Sequence, residues 1–147
     1  MPTRTARTGW TGTLEQGVGK VELTSSKLAT FEVSFPRRAA EDAGDSPARR
    51  SSSRPRTHSC YAMQLSALVA QVGGTPQALD VQADVSLGPD PAGSASSSTG
   101  IKLTVRGEVD GLTAEQFQEA AQAAKAGCPV SKALTGVDIT LDVALEE

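Results

Sequence analysis

The chain has 147 residues, a length typical of one domain with its own hydrophobic core. Its formal net charge of -3 gives no electrostatic reason to expect a nucleic acid or an anionic membrane as partner. No apolar run approaches the roughly 20 residues of a membrane-spanning helix, and no hydrophobic stretch typical of a signal peptide follows the basic N-terminal residues. We therefore expect a cytoplasmic protein with a single domain over residues 1–147.

The first third of the chain predicts a meander of short strands. Strands are expected over residues 8–14 and 18–23, and in the alternation of Phe31, Val33 and Phe35. Because aromatic residues make up only 3% of the chain, the core must be built mainly from aliphatic side chains. Such a modest core makes oligomerisation a reasonable expectation.

A long apolar segment in the middle of the chain predicts a buried helix over residues 59–72, ended by Gly73 and Gly74. The segment before it, residues 46–57, reads SPARRSSSRPRT and contains neither an acidic nor a large apolar residue. This composition is typical of a loop. Since a proline inside a helix costs about 3 kcal/mol, we expect the helix to begin near residues 57–59.

Two strand patterns follow the central helix. Apolar residues recur at every second position over residues 79–87 and again over residues 101–109. Between them, residues 88–100 are rich in Gly, Pro and Ser, which predicts a flexible hairpin loop. The pair is therefore expected to form a second β-hairpin.

The C-terminal part predicts one helix and a closing strand. The helix is expected over residues 114–126, with a capping box in Thr113 and Gln116 and with Gly127 as its C′ residue. Alternating apolar residues predict the last strand over residues 137–145. The apolar face of the helix comprises Phe117, Ala120, Ala121 and Ala124. Taken in order, these elements predict a single α+β domain.

Cys60 and Cys128 are the candidate reactive residues. Pro129 favours an N-cap position for Cys128, where the helix dipole stabilises a thiolate, and Ser131 could add a hydrogen bond. Cys60 is expected to open the apolar helix, where the dipole acts in the same way. A thiolate attacks a peroxide to give a sulfenic acid, which a second cysteine converts to a disulfide. Alternatively, either cysteine is an unreactive core residue. Selectivity for organic peroxides is expected from the apolar wall of Leu65, Leu68 and Val69.

Four motifs resemble those of the osmotically inducible and organic hydroperoxide resistance proteins, the OsmC/Ohr family, and in particular its OsmC branch. They are GWTG at residues 9–12, SCYAMQL at 59–65, ADV at 83–85 and AKAGCPVSKAL at 124–134, of which the last is the most specific. The resemblance covers nearly the full chain. It implies an OsmC-like fold that forms an intertwined homodimer, with buried central helices and active sites at the subunit interface.

The resemblance also implies a thiol-dependent peroxidase that reduces organic hydroperoxides, and hydrogen peroxide more weakly. Cys60 matches the peroxidatic cysteine, and Cys128 matches the cysteine that resolves it into a disulfide. Arg38, nine residues before Pro47, matches the arginine that steadies the thiolate and guides the peroxide, in preference to Arg37. No bound cofactor is implied, and the reductant is an external dithiol such as dihydrolipoamide.

The chain departs from the family before the central helix. In the family, two glutamates follow a Ser-Pro or Asn-Pro. Here the Ser-Pro at residues 46–47 is followed by Ala48, Arg49 and Arg50. The stretch from this Ser-Pro to the cysteine is also two residues longer than in the usual family pattern. One of those glutamates contacts the active-site arginine, so we expect Arg38 to lack its carboxylate and hydroperoxide turnover to be weakened. The segment is either a natural basic insertion or the product of two compensating frame changes, which the nucleotide sequence distinguishes.

Other functions have less support in the sequence. His58 is the single histidine, and without a Cys-x-x-Cys motif it offers little basis for a zinc site. No Gly-x-Ser-x-Gly turn positions a serine nucleophile. The arginines of residues 49–56 lack the interleaved aromatics of a nucleic-acid surface and favour a solvated loop. The main alternative is a non-catalytic dimer that keeps the family fold as a binding or structural module.

Overall fold

The computed structural model describes residues 3–27, 29–36, 53–88, 97–134 and 136–146. In chain order the elements are β1 (Thr3–Thr11), β2 (Val18–Glu22), β3 (Thr30–Val33), α1 (Ser53–Gln71), β4 (Thr75–Gly88), β5 (Ser97–Asp110), α2 (Ala114–Gly127), α3 (Pro129–Ala133) and β6 (Ile139–Glu146). Among the described residues, no helix is both long and apolar enough to span a membrane.

The strands form one six-stranded sheet in the order β3-β2-β1-β4-β5-β6. Neighbouring strands are antiparallel except for β5 and β6, which run parallel. The parallel pair follows from the chain path, because α2 and α3 carry the chain from the end of β5 back to the start of β6. The predicted α+β architecture is thus confirmed, from the strand meander and central helix to the hairpin, the later helices and the closing strand.

Three strands begin earlier than predicted, and β4 does so at Thr75 rather than at residue 79. β1 begins at Thr3 rather than at residue 8, and it pairs with β4 along its whole length, from Thr3 opposite Ser86 to Thr11 opposite Ala78. β5 begins at Ser97, so the end of the predicted loop 88–100 belongs to a strand. Pairing through the backbone extends strands into polar sequence, where side-chain alternation gives no signal.

One face of the sheet packs against the helices and forms the core. Its strand residues are those at the predicted alternating positions, and they meet the inward side chains of α1 and α2. The opposite face is polar and carries ion pairs, including Arg7 with Asp80 and Arg106 with Asp142. The largest fully buried core side chains are Trp10, Tyr61, Phe117, Leu65, Leu79, Leu103, Val21, Val69, Val81 and Val105.

The central helix α1 begins earlier than the sequence predicted. It starts at Ser53 rather than near residues 57–59, so residues 53–57 are helical and not part of a loop. Pro55 is the third residue of the helix. The first four N–H groups of a helix have no acceptor within it, so a proline in the first turn removes no hydrogen bond. The predicted cost of an internal proline therefore does not apply.

The local signals at α2 are confirmed at its start but not at its end. Thr113 and Gln116 form the predicted capping box, and the predicted apolar face is buried. Gly127, however, is the last helical residue and not a C′ residue with positive φ. The packing does not require a glycine here either, because a Cβ at this position would make an ordinary van der Waals contact, 3.4 Å from Nε2 of Gln64 in α1.

Candidate active site

Cys60 lies inside α1, at the eighth position of the helix rather than at its start. The prediction that it opens the helix is therefore wrong, because α1 begins six residues before Ser59. Since the field of the helix dipole falls off within the first turn, the dipole does not act on Cys60 in the predicted way. The side chain is 4% exposed.

Cys128 lies at the junction of α2 and α3, where it serves as the C-cap of one helix and the N-cap of the other. Its N–H donates to the carbonyl of Ala124 at 2.9 Å, and its carbonyl accepts from the N–H of Lys132 at 3.0 Å. Pro129 occupies the first turn of α3, as the sequence predicted. Cys128 is fully buried.

The packing of α1 against α2 and α3 brings the two sulfur atoms together. Cys60 Sγ and Cys128 Sγ are 3.2 Å apart, within hydrogen-bond distance. Both residues are thiols in this structure. A disulfide bond is about 2.05 Å long, so the two sulfurs need to approach by only roughly 1 Å when an oxidant removes two electrons and two protons from the pair. The geometry suits a reversible dithiol–disulfide couple.

The surroundings of Cys128 favour its thiolate form. Its pKa is lowered from 9.0 to about 6, mainly because the Cys60 thiol donates a hydrogen bond to it. Burial opposes the shift, while the N–H groups of Ser131 and Val130 and the Ser131 hydroxyl add to it. In its thiol form, Cys128 makes no side-chain capping bond in α3. These donors therefore act when the sulfur carries a charge.

Tyr61 holds α1 against α2 beside the cysteines. It is fully buried, and its hydroxyl donates to the carbonyl of Ala121 at 2.8 Å. Burial raises the pKa of Tyr61, and the nearby negative charge of Cys128 raises it further. The sequence placed Tyr61 in a motif but gave no sign of this contact, since it joins residues 60 positions apart.

The predicted apolar wall beside Cys60 does not form an open surface. Leu65 and Val69 are fully buried in the core, and Leu68 is partly buried against it. These side chains pack within the protein, because α1 turns them toward its sheet and helix neighbours. They form part of the hydrophobic core and not a surface for the substrate.

Two surface cavities of the described part of the chain could hold a ligand. One, of about 700 Å³, lies on the polar face of the sheet around Gly9, Val18 and Lys20. The other, of about 450 Å³, lies between α2, α3 and β6 and includes Ser131 and Lys132 in its lining. Neither is lined by a cysteine.

Other predicted site residues lie outside the described part of the chain. Arg38 and Arg37 are among them, and so are residues 46–52. The side chain of His58 is likewise outside it. Within the described ranges, no group of three His, Cys, Asp or Glu residues is placed to hold a metal ion.

Comparison with known proteins places this arrangement in a family. Residues 57–142 match the family model described as OsmC-like protein. Peroxiredoxin OsmC of Escherichia coli is 35% identical over 137 residues, which cover 93% of this chain and 92% of that protein. Peroxiredoxin OsmC of Shigella flexneri matches with the same identity and coverage.

Solved structures show the same fold at lower identity. The organic hydroperoxide resistance protein OhrB of Bacillus subtilis superposes with a TM-score of 0.55 at 23% identity, over 95% of this chain and 97% of that one. The OsmC-like protein of Mycoplasma pneumoniae gives a TM-score of 0.59 at 12% identity, over 94% and 96% of the two chains. By sequence identity and family match, the chain belongs to the OsmC-like family, whose members include a peroxiredoxin.

Proposed function

We propose that this protein is a thiol-dependent peroxidase that reduces organic hydroperoxides through Cys60 and Cys128. The observation that carries the proposal is the 3.2 Å separation of the two buried sulfur atoms. Peroxidase chemistry of this kind needs one sulfur to accept an oxygen atom and a second to displace it. Kinship with Peroxiredoxin OsmC of Escherichia coli supports the same class of reaction.

The reaction proceeds in two chemical steps on the protein. The Cys60 thiol first passes its proton to the Cys128 thiolate, whose sulfur lies 3.2 Å away. The resulting Cys60 thiolate attacks the distal oxygen of the hydroperoxide, the O–O bond breaks, and the alkoxide leaves and takes the proton from Cys128 to become an alcohol. Cys60 is then a sulfenic acid, oxidised by two electrons. The Cys128 thiolate attacks Cys60 Sγ, the S–O bond breaks, and the oxygen leaves as water after protonation. The product is the Cys60–Cys128 disulfide.

The assignment of roles to the two cysteines rests on the family motif and on their surroundings. The motif around Cys60 matches that of the peroxidatic cysteine. Cys128 suits the resolving role, since its lowered pKa of about 6 makes it mostly thiolate at neutral pH. It is also fully buried, whereas Cys60 retains 4% of its surface. We assign the orienting role toward the peroxide to Arg38, from the resemblance.

The proposal includes the partners that the family implies. An external dithiol such as dihydrolipoamide returns the disulfide to two thiols, taking the place of a bound cofactor. The working unit is a homodimer in the cytoplasm. We expect the activity to be weakened, because residues 48 and 49 are Ala and Arg where the family has glutamates.

Mass spectrometry after oxidation tests the proposal. Reduced wild-type protein, Cys60→Ser and Cys128→Ser are each treated with one equivalent of cumene hydroperoxide, and the remaining thiols are then alkylated. The wild type should lose both alkylation sites and form an intramolecular disulfide. Cys128→Ser should carry a sulfenic acid on Cys60 that a dimedone probe traps.

Two results would contradict the proposal in different ways. A wild-type protein that keeps both thiols would support the alternative, a non-catalytic module with the family fold. A sulfenic acid on Cys128 in the Cys60→Ser variant, formed as fast as the wild-type disulfide, would reverse the roles of the two cysteines. Cys60→Ser is otherwise expected to stay reduced and so serves as the control.

A further inference from the structure

Cys60 and Cys128 place two thiols on neighbouring helices, with their sulfur atoms 3.2 Å apart. Cys60 is fixed by its position within α1. Cys128 is fixed by its backbone at the junction of α2 and α3, where its N–H and its carbonyl both make hydrogen bonds. Because neither backbone has to rearrange to bring the sulfurs together, the pair is preorganised to bind a single atom through two sulfur bonds.

The separation of the sulfurs limits the geometry of an atom that binds to both. A bond between a thiolate sulfur and a soft metal or metalloid is about 2.3 Å long, as it is for zinc. Two such bonds span about 3.3 Å when they meet at a right angle and about 4.6 Å when they are collinear. The observed separation of 3.2 Å fits the right angle. An ion that prefers two collinear sulfur bonds would require the sulfurs to move apart by more than about 1 Å.

The number of donors narrows the choice of atom further. A structural zinc site uses four protein ligands in a tetrahedral arrangement. Within the described ranges, no group of three His, Cys, Asp or Glu residues is placed to hold a metal ion. The pair therefore suits a soft atom that takes two sulfurs from the protein and brings its remaining substituent itself. Trivalent arsenic with one carbon substituent meets these conditions, because its three bonds are pyramidal and nearly at right angles.

We propose that Cys60 and Cys128, in their reduced form, are a binding site for monosubstituted trivalent arsenicals such as methylarsonous acid. This compound carries one methyl group and two hydroxyl groups on arsenic. Each thiol displaces one hydroxyl, so that an As–S bond forms, an As–O bond breaks, and the hydroxyl leaves with the thiol proton as water. The arsenic remains trivalent and no electrons are transferred, so the step needs neither an oxidant nor a reductant.

The surroundings of the sulfurs favour carbon as the third substituent on arsenic. Tyr61 and Met63 are buried directly after Cys60 in α1. Ala124 is buried one turn before Cys128. In such an apolar region a hydroxyl that stays on the arsenic, as it would with arsenite, is unfavourable without a hydrogen-bond partner. Methylarsonous acid is also small and uncharged, which suits a pair that is reached through the 4% exposure of Cys60.

Retention of methylarsonous acid tests the site directly. Reduced wild-type protein, Cys60→Ser, Cys128→Ser and diamide-oxidised wild type are each incubated with the compound, desalted and analysed by native mass spectrometry. Reduced wild type should retain one methylarsenic group per chain. Each serine variant offers a single sulfur and should bind on the order of 100-fold more weakly. The oxidised protein has the wild-type sequence and should retain none, so this control does not depend on the folding of a variant.

Thiol protection shows whether both sulfurs hold the same arsenic atom. In the complex, N-ethylmaleimide should label neither cysteine under conditions that label both in the free reduced protein. Diamide should no longer form the disulfide, and 2,3-dimercaptopropanol should remove the arsenic and restore both thiols. Reduced wild type should bind methylarsonous acid about 10-fold more tightly than arsenite, because only arsenite leaves a buried hydroxyl.

The outcomes separate this inference from the peroxidase proposal, on which it does not depend. The inference would be overturned if reduced wild type retained no arsenic, if either serine variant bound as tightly as wild type, or if two arsenic atoms bound per chain. Tighter binding of arsenite than of methylarsonous acid would overturn the preference for a carbon substituent. A protein that binds methylarsonous acid but is not oxidised by cumene hydroperoxide would contradict only the peroxidase proposal.

Discussion

Replacing Cys60 by alanine should raise the pKa of Cys128, because the Cys60 thiol is the largest cause of its lowering. In the wild type the pKa falls from 9.0 to about 6, so roughly nine-tenths of Cys128 is thiolate at pH 7. A hydrogen bond to a charged group contributes about 1.5–3 kcal/mol, which corresponds to about 1–2 pKa units. We therefore expect a pKa of about 7–8 for Cys128 in Cys60→Ala. Cys60→Ser keeps a hydroxyl donor and should show a smaller change.

The same shift makes the stability of the protein depend on pH. Between pH 6 and pH 9 the unfolded chain holds a proton on Cys128 that the folded chain has released, so the free energy of unfolding rises with pH in this window. The contribution is complete above pH 9 and is lost as the pH falls through about 6. At pH 7 it amounts to about 1.4 kcal/mol. Cys60→Ala should lose most of this contribution at pH 7.

Two measurements check this prediction. Ultraviolet thiolate absorbance, titrated in parallel with Cys128→Ser as the baseline, gives the pKa of Cys128 in each variant. Urea unfolding at pH 6 and pH 8 gives the pH dependence of stability, which is compared as a difference because the smaller alanine side chain also lowers stability at every pH. If Cys128 titrates at the same pH in wild type and Cys60→Ala, the hydrogen bond between the two sulfurs does not control its charge.

Three further variants test the packing of the helices and the proposed effect of the two glutamates. Tyr61→Phe removes a buried hydrogen bond between α1 and α2 and should lower the free energy of unfolding by about 1 kcal/mol in urea; wild-type stability would rule out this anchor. Gly127→Ala should stabilise the protein by up to about 1 kcal/mol, because alanine has the higher helix propensity and its Cβ would make only an ordinary contact with Gln64; a less stable variant in the same assay would contradict this reasoning. Combined Ala48→Glu and Arg49→Glu should raise kcat/KM for cumene hydroperoxide on the order of 10-fold, whereas the matching glutamine pair should not. Equal values of kcat/KM in the two double variants would contradict the proposed role of the glutamates.

Local signals were enough to predict the surroundings of Cys128. The capping box of α2 lies within four residues, and Pro129 fixes the start of α3 directly after the cysteine. Such features depend only on residues that are close in the chain, so they can be predicted from the local sequence. The strand alternation of β4 and β5 was predicted for the same reason, since the period of two reflects one buried face.

The start of α1 could not be predicted in the same way. Proline and a run of serines lower the helix propensity of residues 51–57, but Pro55 lies in the first turn, where a missing N–H has no cost. Whether a proline is internal depends on where the helix begins, and the serines at 51–53 offer several possible N-cap residues without indicating which one is used. Because α1 begins earlier than predicted, Cys60 lies inside the helix and not at its start. The helix dipole therefore does not stabilise its thiolate in the way that the sequence suggested.

The contacts that make the site depend on the tertiary fold. The two sulfurs, and likewise Tyr61 and Ala121, are separated by 60 or more residues in the chain. Neither pair shares a helix or a strand, so no periodicity relates them. They meet because both helices bury their apolar faces on the same side of one sheet.

The steps of the proposed reaction depend on different parts of the chain. Formation and reduction of the disulfide need the two sulfurs and the donors around Cys128, all of which lie within residues 57–142 that match the family model. Under the proposal, attack on the peroxide also needs the arginine and glutamates that the resemblance implies before the central helix, and residues 48 and 49 are Ala and Arg in this sequence. Oxidation of Cys60 should therefore be the slow step, because Cys128 is already mostly thiolate at pH 7 and resolves the sulfenic acid as it forms. Under this order of rates, a dimedone probe should trap sulfenic acid in Cys128→Ser but almost none in the wild type.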